Sequence, residues 1–194
     1  AAALAERGHS VTVLTVRPPR GLSAEAHDAQ QQYRVRRFPV LRDRAGYVRG
    51  YLQYLSFDVP LFLRVLFGRR RDVIVVEPPP TTGLSVRIAA AIRRIPYVYY
   101  AADIWSDGAG HTGAPKWVVG AVRTVERSAM SGAAAVLSVS DSLTVRLGEL
   151  EVSSSIVTVG NGVDPHPFRS VDLVEEDYRR ATPHEFVYAG TASE

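Results

Sequence analysis

The chain has 194 residues, 46% of them apolar and 22% charged, with a formal net charge of +3, a balance that fits one globular domain and the edge of another. No apolar run reaches the ~18 residues that cross a bilayer, and the lack of cysteine excludes disulfide scaffolds and thiolate-bound metals. The same lack fits a reducing compartment, so cytoplasm is the expectation, and the first residues show no charged-then-apolar leader pattern.

In chain order, residues 1–8 read as the end of a helix stopped by Gly8, and "SVTVLTV" (10–16) as a buried strand. From Arg17 to Arg71 twelve arginines face only Glu25, Asp28, Asp43 and Asp58. Such charge suits anionic lipid or a phosphorylated substrate, and a merely solvated basic face is the plain alternative. No nucleic-acid motif accompanies it, so nucleic acid is not an expected partner. "YRVRRFPV" (33–40) alternates like a strand nearer a sheet edge. The aromatic and basic stretch 46–71 predicts two short helical pieces, with Pro60 just inside the second and Asp58 as its cap. Tyr47, Tyr51, Leu55, Leu61, Phe62, Val65 and Leu66 can line their apolar faces, leaving Arg49, Arg64, Arg69, Arg70 and Arg71 for lipid phosphates. Packing of those aromatics on a sheet is the competing arrangement.

Four further apolar runs, 72–79, 96–105, 134–140 and 156–163, predict strands. Helical patterns at 82–94, 116–131 and 141–150 separate them, the last with Ser140 as N-cap. Alternation of this kind predicts an α/β fold, a doubly wound, Rossmann-like parallel sheet whose ligands bind beyond the carboxyl ends of the strands. The polar, proline-containing stretch 165–184 reads as a linker. It divides a domain at 1–164 from "EFVYAGTASE" (185–194), which begins as a buried strand and turns at Gly190-Thr191.

Strand-end polar residues are the natural site candidates. Glu77, Asp103, Asp107, Ser138 and Ser140 all fall there, and a carboxylate so placed can accept hydrogen bonds from substrate hydroxyls or assist proton transfer. The alternatives are local: Asp103 or Asp107 as a cap of the next segment, Glu77 paired with an arginine, Ser140 as a helix cap. "GAGHTG" (108–113) matches the dinucleotide pattern G-x-G-x-x-G literally, but "DIWSD" separates it from the strand and no acid ends the next strand. It reads as a crevice loop. The five scattered histidines show no metal-ligand spacing, and neither a G-x-S-x-G elbow nor a P-loop occurs. In "TVGNGVDPHPF" (158–168) Gly160 and Gly162 permit a positive φ and Asn161 tolerates it, as a sharp turn requires.

Taken in order, "LAERGHSVTVLT" (4–15), "DVIVVEPPPTTG" (72–83), "PYVYYAADIWSD" (96–107), "VERSAMSGAAAVLSVSDSL" (125–143) and "NGVDPHPF" (161–168) resemble the glycosyltransferases of GT-B fold, family 4 or group 1 type. The resemblance implies two Rossmann-like domains facing across a cleft, with this chain as the N-terminal, acceptor-binding half. The half would lack its first strand and be followed by the first strand of a donor domain, so that the 194 residues alone would be inactive. It implies transfer of a sugar, with retention, from a nucleotide-sugar donor to a hydroxyl acceptor, in cell-surface polysaccharide or glycolipid synthesis, with no metal or other cofactor. The acceptor would be a glycan or lipid-linked; the charge and aromatics of 46–71 add the expectation of a cytoplasmic enzyme able to sit peripherally on the inner face of the membrane, against an anionic surface. Asp103 and Glu77 become the candidate catalytic residues. Asp107, Ser138, Asn161 and Gly162 fall at the acceptor or interdomain cleft, and Gly190 and Thr191 at the donor phosphates. Tyr100, Ala101 and Ala102 precede Asp103 where many relatives carry a histidine, and Ser106 stands where proline is common. Two other readings remain: a non-enzymatic α/β ligand-binding module, and a NAD-dependent sugar-nucleotide oxidoreductase or epimerase resting on 108–113.

Overall fold

The β-branched runs of the sequence form six parallel strands in the computed structural model, which describes residues 1–19, 31–44, 46–48 and 50–162. Strand β1 (Thr12–Val16) pairs with β2 (Arg34–Phe38), Leu14 opposite Arg36. Strands β3 (Ile74–Val76), β4 (Tyr97–Ala101), β5 (Ala135–Ser138) and β6 (Ile156–Thr158) lie side by side in that order. The register sets Val76 opposite Tyr99, and Ser138 opposite both Ala101 and Thr158, so the carboxyl ends of the four strands line up on one edge.

The fold class is α/β with parallel strands, as expected. A single doubly wound sheet was expected too, and here the described strands make two sheets of two and four strands. The reason is at the edges: β1 and β3 are not hydrogen-bonded to each other. Within each sheet every neighbouring pair is parallel, as a Rossmann-like fold requires.

Helices fill the crossovers. Helix α1 (Ala2–Glu6) ends as predicted at Gly8, whose φ is +86°. The Gly8 and His9 amides return to the carbonyls of Ala5 and Leu4, the paired bonds of a Schellman stop. Helix α2 (Tyr51–Phe67) is one continuous helix with Pro60 inside it, where two pieces were predicted. Proline removes one helical hydrogen bond, but Leu61 is buried beyond it while Phe57 before it and Val65 after it pack on the same core, which holds both halves on one axis. Asp58 is accordingly no cap.

Helix α3 (Pro80–Arg93) lies over the sheet closely enough that a Cβ on Gly83 would sit 2.6 Å from the Tyr99 ring and 2.9 Å from the Ala129 Cβ. Helices α4 (Trp105–His111), α5 (Lys116–Ser131) and α6 (Asp141–Glu149) follow. The core gathers Val76, Val86, Ala90, Tyr97, Tyr99, Ala129, Met130, Val136 and Leu147. Residues Ala1–Gly160 form one compact unit; the linker and strand predicted at 165–184 and 185–194, with Gly190 and Thr191, lie outside the described residues.

Candidate functional site

Beyond the carboxyl ends of β4 and β5 opens a cleft of about 410 Å³, lined by Ala102, Asp103, Ile104, Asp107, Val139, Ser140, Ser142, Leu143 and Arg146. Three of the sequence candidates, Asp103, Asp107 and Ser140, meet in it. Asp103 is exposed, and among the described residues nothing hydrogen-bonds its carboxylate. Glu77 follows the neighbouring strand β3 directly and is also exposed, with no ion pair among the described residues.

Asp107 is engaged. Arg146 donates from Nε to Oδ2 and from Nη2 to Oδ1, each at 2.8 Å, and Arg123 stands 3.9 Å away. The Arg146 hydrogen bonds hold the Asp107 carboxyl below the usual carboxylate range, and the same pairing raises Arg146. Arg146 also donates to Glu149. The pair joins α4 to α6 across the floor of the cleft.

Ser138 is fully buried, its hydroxyl donating to the Ser140 carbonyl at 2.9 Å. Ser140 caps α6 as predicted: its Oγ accepts from the Leu143 amide at 3.2 Å. Gly160 takes a φ of +66°, the left-handed turn foreseen after β6, while Asn161 and Gly162 are exposed. Residues 108–111 of the "GAGHTG" stretch are the body of α4 instead of a loop. The dinucleotide pattern needs its glycines in a turn ahead of the helix, so that reading loses its geometric basis.

The cleft also depends on a residue that the sequence reading passed over. Glu126, on the inner face of α5, is 1% exposed. Its Oε1 accepts from the Trp105 amide at 2.7 Å and its Oε2 from the Ser106 amide at 3.1 Å. Helix α4 has no side-chain cap of its own, so Glu126 satisfies the first free amides of the helix that carries Asp107. Burial pushes the Glu126 carboxyl up, and the Ser106 hydroxyl and the two backbone bonds oppose the rise. The available signal was spacing: Glu126, Ala129 and Met130 share one buried helical face, where a charge needs partners. Arg146 carried no comparable signal, because its partner lies 39 residues away.

Among the described residues no group of three His, Asp or Glu side chains has metal-binding geometry, and no helix is long and apolar enough to cross a membrane.

The family model of the glycosyl transferase 4-like domain matches residues 1–162. The chain belongs to that family. Among solved structures, UGT73P12 of Glycyrrhiza uralensis, complexed with glycyrrhetinic acid 3-O-monoglucuronide, superposes with a TM-score of 0.54 at 14% identity over 82% of this chain and 44% of its own. LpCGTa, in complex with UDP, gives a TM-score of 0.52 at 17% identity over 92% of this chain and 52% of its own. At such identities the likeness is one of fold, and this glycosyl transferase 4-like chain spans about half the length of either structure. Comparison with curated proteins gives no significant match.

Proposed function

We propose that this glycosyltransferase domain is the acceptor-binding half of a retaining enzyme that moves a sugar from a nucleotide-sugar to a hydroxyl acceptor. One observation carries the reading: an open cleft at the carboxyl ends of parallel strands, walled by the exposed, unengaged carboxylate of Asp103 and floored by the Asp107–Arg146 pair. That edge is where α/β sheets take their ligands, and an acceptor-only carboxylate there can bind sugar hydroxyls. Asp103 and Glu77 are the proposed contacts to the reacting partners. Asn161 and Gly162 would shape the edge toward a donor domain, and Gly190 and Thr191 would meet the donor phosphates.

Departure of a nucleoside diphosphate needs positive charge, which the family supplies from helix dipoles and basic side chains without a metal. The UDP in the LpCGTa structure agrees with a nucleotide-sugar donor. The acceptor class we favour is a cell-surface glycan or lipid-linked precursor, reached from the cytoplasmic face of a membrane.

The test is release of nucleotide from UDP-, GDP- and ADP-sugars by a protein carrying this chain with its donor domain, in the presence of a panel of glycosides. The reading expects release that depends on an acceptor and a product whose anomeric configuration matches the donor. Saccharide binding with no release from any donor would instead support a non-enzymatic binding module, and inverted product would remove the retaining mechanism.

A further inference from the structure

The outer face of α2 is apolar and lies in solvent. Leu52, Leu55, Val59, Leu63 and Phe67 recur at spacings of three and four and are all exposed, Leu52 at 69% and Phe67 at 77%. These positions fall on one stripe of a helix, opposite the side on which Leu61 enters the core and Phe57 and Val65 pack against it. Leu41 extends the stripe: it is exposed, and its amide donates to Ser56 Oγ of α2 at 2.9 Å. A run of exposed large apolar side chains of this length is unusual on a soluble surface. The face differs from the two predicted, because one continuous helix turns Leu61 and Val65 inward.

Basic residues border it. Arg64 sits with its guanidinium 3.5 Å over the Phe38 ring, tying the edge of the stripe to the end of β2. Arg34 and Arg36 are exposed on β2, and Arg69, Arg70 and Arg71 are exposed just past the end of α2. Among the described residues none of these six makes an ion pair, and Arg70 only donates to the Arg94 carbonyl. Asp72 follows the triplet and Asp43 is half-buried, and Asp58 of α2 itself is turned inward and buried.

We propose that α2 is an in-plane lipid anchor: its Leu52–Phe67 stripe enters the apolar boundary of an anionic bilayer while Arg64, Arg69, Arg70 and Arg71 meet the lipid phosphates. A 17-residue helix with an apolar stripe and a cationic border is built to lie in an interface. Charge decides the occupant. Two copies of this face brought together would oppose arginine to arginine, whereas a phosphate surface complements them. On its inner side the same helix holds α3, since Asp58 Oδ1 accepts from Thr82 Oγ1 at 2.5 Å. Docking would thus hold the unit that carries the strand-end cleft against the surface. The inference stands on this face alone and survives any outcome of the transfer assay.

Co-sedimentation of the chain with vesicles of phosphatidylglycerol and of phosphatidylcholine tests it. The protein should bind the first, bind the second at least tenfold less, and dissociate as salt rises. Replacing Arg69, Arg70 and Arg71 by Gln should weaken binding about tenfold or more. The charge-neutral pair Leu63→Gln and Phe67→Gln should weaken it too, with an unchanged circular dichroism spectrum and melting midpoint, since both side chains are exposed. Equal binding to both lipids, or no loss in either variant, would overturn the proposal. So would a dimer in vesicle-free solution that Phe67→Gln dissolves, which would give the face to a second copy.

Discussion

At the α4–α5 seam and at the α2–α3 seam a buried carboxyl faces the first turn of a helix, and the two seams accommodate it in different ways. Glu126 has each oxygen on a backbone amide of α4, so burial is countered by two donors with nowhere else to go. Asp58, also 1% exposed, takes the Thr82 hydroxyl on Oδ1 with the Thr81 hydroxyl beside it, and no backbone amide. Burial raises both carboxyls. Backbone donors that would otherwise be orphaned anchor a buried carboxyl more firmly than side-chain hydroxyls, which can turn to other acceptors. The first seam therefore supports the cleft, and the second joins two helices through side chains alone.

Removing Glu126 should have the largest effect. Glu126→Ala leaves the part-buried Trp105 amide and the buried Ser106 amide without acceptors and should lower stability by about 3 kcal/mol. Urea unfolding measures it, and a loss under about 1 kcal/mol would mean that α4 is held by other contacts.

The Asp107–Arg146 pair should matter less, because its side chains are 29% and 36% exposed. Asp107→Asn should cost at most about 1 kcal/mol. Its folded-state carboxyl lies below the ordinary value of 3.8, so the stabilisation is complete above that value and is lost as pH falls through the lower one. The difference between wild type and Asp107→Asn should accordingly shrink in acid. A constant difference down to complete acid unfolding would show that the pair is not what the variant disturbs.

Asp58→Asn should have the smallest effect, and one of opposite pH dependence. The raised carboxyl favours folding fully below its ordinary 3.8, and that contribution is lost as pH rises through the higher folded value. Near pH 4 the variant should lie within about 1 kcal/mol of wild type, and it should gain on wild type toward neutral pH. A variant that instead loses ground as pH rises would mean that Asp58 is held as a carboxylate, against the direction in which burial shifts it.

The elements legible in the sequence are those fixed by neighbouring residues. Ser140 reads as a cap because the amide it accepts from is three residues on, Gly8 as a stop because the turn is local, and β4 as a strand because Tyr97, Tyr99 and Ala101 alternate into the core. What stayed hidden depends on distant partners. Pro60 reads as a break until Leu61 and Val65 are seen on a core made by other elements. The glycines at 108 and 110 read as a loop until Glu126 is placed on the start of α4. At the site, Asp103 reads as a catalytic candidate and Asp107, four residues on, as a cleft residue; Arg146, on another helix, makes Asp107 a structural acid and leaves Asp103 open.

That division is the central claim, and the kinetics of Asp103→Ala test it most directly. In a protein carrying this chain with its donor domain, the variant should keep the wild-type unfolding midpoint and lower kcat/KM for sugar transfer at least tenfold, a loss of about 1.4 kcal/mol or more of transition-state stabilisation. Unchanged kcat/KM in an equally stable Asp103→Ala would contradict it and return Asp103 to the solvated rim of the cleft.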